Sequence, residues 1–143
     1  MRTTIDRALG YVLAAMLTVI TLNVLWGVLT RHLLGNQASW TEELARFLLI
    51  WIGLLGAAWA SGKRMHLSID LLKKQPERFI DGCVIAFALA VMVVGGANLM
   101  RITAELGQQS PALGLPMYLV YGVIPLSGLL IIYYRLSGPQ PTA

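Results

Sequence analysis

Four long apolar stretches set the pattern of this chain: residues 8–30, 47–60, 83–100 and 117–134, none holding Asp, Glu, Lys, Arg or His. The first is long enough to cross a hydrocarbon core, and the others reach that length once helix-compatible flanks are added. Ser39 followed three residues later by Glu42 is a capping box, which starts the second helix at Trp40. Run to Ala60, that helix is about 30 Å long, the thickness of the core of a bilayer. Pro76 suits a first helical position, and a third helix from there to Glu105 is about 45 Å long, so it tilts or protrudes. The predicted spans are about 8–31, 40–61, 77–104 and 116–135.

The polar connection between the second and third spans has its own period. On a helical wheel Lys63, His66, Asp70, Lys73 and Lys74 share a narrow face, while Met65, Leu67, Ile69, Leu71 and Leu72 fill the remainder. This pattern predicts an interfacial amphipathic helix over 63–75, with Lys63, Arg64, Lys73 and Lys74 toward anionic headgroups. Gln75-Pro76 ends it. The loop 107–116 contains Ser110-Pro111, Gly114 and Pro116, a rigid connection. No internal repeat relates the first two spans to the last two.

Composition agrees with the spans. The 143 residues are 57% apolar and only 13% charged, against roughly a quarter charged in soluble domains. Mean hydropathy is +0.68. The uncharged run 8–30 exceeds the roughly 7–15 residues of a signal-peptide core and ends without a cleavage site, so it reads as a retained span. The net charge of +4 bears on topology, because no basic run is interleaved with aromatics as nucleic-acid binding requires. With both termini in the cytoplasm, Arg2, Arg7, Lys63, Arg64, Lys73, Lys74, Arg78 and Arg135 lie inside, eight of the 11 basic residues. Arg31, Arg46 and Arg101 lie outside. The fold expected is therefore a single all-α integral membrane domain over 1–143. It has four transmembrane helices and one cytoplasmic interfacial helix, N-in and C-in.

The candidate chemistry is sparse. Carriers usually need an ionisable group at mid-membrane, and none is present. A sodium site built from carbonyls usually comes with paired broken helices in a repeat, whereas only Pro125 interrupts a span here. Pro125 is expected to kink its helix and free the Tyr121 carbonyl. The chain is not expected to transport anything alone. Glu42 and Glu43 complement the start of the second helix, and Glu42 pairs with Arg46 at i,i+4. The plain reading is a capped, self-paired helix end at the headgroups; the alternative, to which the surplus negative charge points, is that one acid or Arg46 pairs with another subunit. His66 and Asp70 are a further i,i+4 pair without a third ligand, and His32 lies on the opposite side, so neither metal nor haem is expected. Trp40 and Trp59 suit an aromatic belt, and Trp51 suits helix packing. Asn23 and Asn98 read as mid-span amides in interhelical hydrogen bonds of about 1 kcal/mol, and Gly95-Gly96 permits close helix approach. No nucleophile elbow, phosphate loop or zinc spacing supports an enzyme.

The run Trp40-Thr41-Glu42-Glu43-Leu44-Ala45-Arg46, followed by Trp51, Gly56-Ala57, His66 and Asp70, resembles the small membrane subunit of tripartite ATP-independent periplasmic (TRAP) transporters, the DctQ type. Pro111-Ala112-Leu113-Gly114-Leu115-Pro116 with Tyr121 and Pro125 is similar to that family's last loop and span. The resemblance covers nearly the whole chain. It implies a non-catalytic inner-membrane subunit that holds a large multi-span permease subunit and helps dock a periplasmic substrate-binding protein. The large subunit would bind the sodium ions and import an organic acid, of the dicarboxylate, keto acid or sialic acid class. This chain would bind no cofactor. It would offer Trp40, Glu42, Glu43, Arg46, Trp51, His66 and Asp70 to its partners, with membrane phospholipids around it. Asn23, Gly95, Gly96, Asn98 and Pro125 would serve helix packing.

Two other readings compete. A self-contained homodimeric four-span exporter would need a membrane-embedded carboxylate, whereas Glu42 and Glu43 lie at a helix end. A haem-bearing electron-transfer subunit would need two histidines on one side.

Overall fold

The structure, a computed structural model, describes residues 2–33, 35, 38–62 and 77–137. The expected interfacial helix 63–75, with Lys63, Arg64, His66, Asp70, Lys73 and Lys74, lies outside the described residues. Helix α1 is Arg2–Leu33 and α2 is Ser39–Gly62. The third span begins as α3, Glu77–Phe87, continues through a π-helical segment, Ala88–Gly95, and ends as α4, Gly96–Glu105. The fourth is α5, Met117–Tyr121, and α6, Val123–Leu136, separated at Gly122. Among the described residues, four stretches are long and apolar enough to cross a membrane: Thr4–Leu33, Ser39–Gly62, Phe79–Glu105 and Met117–Leu136.

Two local details depart from expectation. The start of α2 is closed by Thr41, whose N–H (3.0 Å) and hydroxyl (2.7 Å) both donate to the Ala38 carbonyl, and not by the Ser39 hydroxyl. The π-helical segment has no sequence signal of its own, since Ala88–Gly95 is uniformly apolar. Its wider turns carry the third span against α6.

The spans stand side by side in the spatial order 1-2-4-3. Helix α1 packs on α2, α2 on α6, and α6 on α3 and the π-helical segment, while α4 packs on α5. The core forms where Leu13, Leu55 and Val123 meet, flanked by Met16, Trp51, Trp59 and Ile124. Small residues bring the neighbours close. A Cβ on Gly96 would stand 2.9 Å from Pro125 Cδ, and one on Gly62 would stand 2.7 Å from the Tyr134 ring. Gly128 fits equally tightly against Met92, Val93 and the Ala88 carbonyl of the third span. Gly95 is exposed, with only the Ala90 carbonyl of its own span nearby, and Asn98 is exposed as well. Much of the remaining apolar surface is open, including Leu22, Leu25, Leu49, Phe87 and Val94.

At the end of the molecule that holds the N-terminus, polar groups tie the outer spans to the fourth. The Tyr134 hydroxyl donates to Asp6 Oδ1 at 2.5 Å, and Arg135 forms an ion pair with Asp81. Apolar packing in lipid discriminates weakly between helix neighbours, so such polar links help specify which spans meet.

Candidate functional site

The residues singled out around 40–46 lie at the other end, beside the loop that joins α4 to α5. That loop is folded by its own backbone. Helix α4 closes in a Schellman motif: Gly107, at φ 59°, donates to Ala104 O (3.1 Å) and Gln108 to Thr103 O (3.2 Å). Glycine is required there because the left-handed conformation penalises a Cβ. The chain then doubles back, with Ser110 N–H donating to Leu115 O (2.8 Å) and Met117 N–H to Gln108 O (3.0 Å). Gly114, at φ 64°, donates to Ser110 O at 2.9 Å. The result is a short hairpin whose tip is Pro111-Ala112-Leu113.

Glu43 holds that tip. Its Oε2 accepts the backbone N–H groups of Ala112 and Leu113, both at 2.9 Å, and the Ser110 hydroxyl stands beside the carboxylate. Two successive amides converging on one carboxylate form a charge-assisted clasp, stronger than a bond between neutral groups. The two stretches that carried the resemblance, 40–46 and 111–116, are therefore joined at one point.

The neighbours of Glu43 are differently employed. Trp40, Glu42 and Arg46 are exposed. The expected Glu42–Arg46 ion pair is absent; the pairs among the described residues are Arg101–Glu105 and Arg135–Asp81. Trp51 is half-buried and its indole N–H donates to Val120 O at 3.2 Å. The carbonyl it serves is one residue before the one expected to be freed by Pro125. Asn23 is buried, and its amide donates to Thr41 O at 2.6 Å. Asn23 therefore bonds from α1 across to the first turn of α2.

Sequence reasoning missed the partners of Glu43, namely Ser110, Ala112 and Leu113, and the Asp6, Asp81, Tyr134 and Arg135 links. Backbone acceptors and donors leave no trace in residue identity, so the clasp had no signal. Asp6 and Asp81 did have one, as acids at the edges of apolar runs in need of a partner. Among the described residues no group of three His, Cys, Asp or Glu side chains comes together to hold a metal ion.

Comparison with known proteins follows the same stretch. Residues 20–137 match the family described as tripartite ATP-independent periplasmic transporters, DctQ component. The chain belongs to the DctQ family. This DctQ-family chain is accordingly a component of a transporter and not an enzyme, and a multi-pass protein of the inner membrane. It is 33% identical over 129 residues to an isethionate TRAP transporter permease protein, DctMQ, of Oleidesulfovibrio alaskensis. That match covers 82% of this chain but only 20% of the longer relative. It is 27% identical to a putative TRAP transporter small permease protein of Haemophilus influenzae, over 89% of this chain and 82% of that one. A C4-dicarboxylate TRAP transporter small permease protein of Rhodobacter capsulatus is 33% identical, over 69% of this chain and 47% of its own length.

Proposed function

We propose that the chain is the scaffold of a sodium-driven TRAP importer of organic acids. It seats the large permease subunit and gives the periplasmic substrate-binding protein part of its landing surface. The Glu43 clasp carries this reading. It fixes the hairpin tip against α2, so that exposed Trp40, Glu42 and Arg46 sit beside a backbone of defined shape. A rigid, partly charged rim suits recognition by a soluble partner, since little ordering remains to be paid on docking. The open apolar flanks of the row of spans suit a second membrane protein, and the positive-inside rule puts the Glu43 rim on the periplasmic side with both termini inside.

The sodium ions and the solute belong to the large subunit in this reading, in keeping with apolar stretches 8–30, 47–60, 83–100 and 117–134 that hold no Asp, Glu, Lys, Arg or His. Relatives named for isethionate and for C4-dicarboxylate support the organic-acid class and no single solute. The test is affinity purification from native membranes in mild detergent, with mass spectrometry of co-purifying chains. A stoichiometric, much larger multi-span permease supports the scaffold. A homodimer that moves solute in liposomes alone refutes it.

A further inference from the structure

The third span is wound unevenly, and the uneven part decides which of its residues meet the fourth. Over Ala88–Gly95 the turns are π-helical, and at Gly96 the N–H returns to the Met92 carbonyl, the α pattern. A π turn closes one residue later than an α turn, so the segment takes up about one residue more than straight helix would. All of α4 is thereby set back by roughly 100°, one residue's share of an α turn. Its packed edge in this register is Gly96, Met100 and Thr103, spaced i, i+4 and i+7. A Cβ on Gly96 would stand 2.9 Å from Pro125 Cδ and 3.0 Å from Ile124 Cγ2, and Met100 Cε stands 3.5 Å from a Cβ built on Gly122. Thr103 is buried.

The residues one place earlier make a second edge of the same kind. Gly95, Leu99 and Ile102 are all exposed here, and a Cβ on Gly95 would meet only the Ala90 carbonyl of its own span. Rewound as continuous α-helix, the third span puts Gly95 where Gly96 stands, Leu99 where Met100 stands and Ile102 where Thr103 stands. Each replacement suits its place: a glycine against Pro125, a long apolar chain beside Gly122, and an apolar residue for a buried threonine. The exposed Arg101–Glu105 pair moves to the places of Ile102 and Leu106, which are exposed too, so no charge is buried. One register needs one glycine, and the pair supplies both. We propose that the third span is a two-register switch, with the π register of this structure and an α register in which α4 is turned by one residue against the fourth span. Packed helices choose between discrete arrangements and do not deform smoothly. The hairpin is built onto α4 through Gly107 and Gln108, so α4 turns its base, and a protein seated on the rim biases the choice. The switch stands on the packing of the spans alone and is independent of what docks there.

Thiols at two adjacent positions read the register. Ile102→Cys and Thr103→Cys are made singly in a Cys83→Ala background, which removes the native thiol. The full chain, extracted in mild detergent with any partner it carries, is treated with a water-soluble maleimide. The exposed charges of Arg101 and Glu105 mark this level as one that water reaches. The Ile102→Cys thiol reacts quickly and the Thr103→Cys thiol slowly. Adding Gly96→Val, whose branched side chain has no seat against Pro125, inverts that order. Adding Gly95→Val, which has room in the present register but blocks the other, keeps the order and slows the Thr103→Cys thiol further. Gly96→Ala is the milder change should the valine hinder folding. It speeds the Thr103→Cys thiol by about tenfold, while amide exchange across 99–103 stays as it was. An Ile102→Cys thiol that remains the faster in Gly96→Val overturns the proposal. So does amide exchange that rises in step with labelling in Gly96→Ala, because α4 then unwinds and does not turn. An unaltered Thr103→Cys rate in Gly95→Val overturns it as well.

Discussion

Substituting Gly128 by alanine tests the packing between the third and fourth spans. A Cβ built there lies 2.8 Å from Met92 Cβ, 3.1 Å from Val93 Cγ2 and 3.2 Å from Ala88 O. Comfortable carbon contacts are about 3.5–4.0 Å, so the two spans must part by roughly 1 Å. Two of the three obstacles, a Cβ and a backbone carbonyl, cannot rotate away. Overpacking of this kind costs about 1–3 kcal/mol. Alanine also gains about 1 kcal/mol of helix propensity over glycine, which leaves the net change near zero to about 2 kcal/mol. Gly53→Ala provides the reference, because nothing lies within 4 Å of a Cβ at that helical position. It receives the propensity gain alone. The difference between the two variants is then about 1–3 kcal/mol with a definite sign. At roughly 3–5 °C per kcal/mol for a chain of this size, thermal unfolding in one detergent resolves it. Gly128→Ala melting at or above Gly53→Ala would falsify the close approach of α6 to the π-helical segment. Gly128→Val enlarges the effect should a small shift of the helix absorb the alanine.

Two further outcomes follow from the polar links. Glu43→Ala removes the acceptor for two amides, so hydrogen exchange at Ala112 and Leu113 accelerates by about tenfold or more, with Glu43→Gln intermediate because a neutral acceptor is weaker; unchanged exchange in Glu43→Ala means the hairpin tip stands without the clasp. Asp81→Asn strands Arg135, whose side chain is 17% exposed against 27% for Asp81. Between the cost of breaking a buried pair and the small worth of an exposed one, a loss of about 1–3 kcal/mol is expected. The double variant Asp81→Leu with Arg135→Met recovers much of it, and additivity of the two single losses would show that the groups do not interact.

The spans were legible because hydrocarbon thickness translates into a count of apolar residues: α2 is Ser39–Gly62 against an expected 40–61, and the fourth span is Met117–Leu136 against 116–135. Their neighbours were not legible. An apolar stretch states its length, but helix choice in lipid is made by small residues and polar links spread over several spans. Gly95 and Gly96 looked equivalent as a pair, yet only Gly96 meets the fourth span, since the choice depends on the rotation of the helix. The capping box at Ser39 is not formed, and the Thr41 N–H turns back to the Ala38 carbonyl instead. Glu43 was legible as a residue at a charged helix start, and its role was not, because its partners are peptide N–H groups. The partner of Asn23 was not legible for a plain reason: α1 is long, and the middle of an apolar run need not lie opposite the middle of its neighbour.

The 1-2-4-3 order bears on how the molecule is made. The fourth span, later in the chain than its neighbours, is the one that sits in the middle, with α2 on one flank and the third span on the other. Until it emerges, the ribosome has produced a finished hairpin of the first two spans and a third span with no packed face to join it. The fourth span supplies the face that joins the two pieces. The packing of the four spans is thus completed by the fourth. Tyr134 and Arg135, near its very end, bring the far spans into line through Asp6 and Asp81.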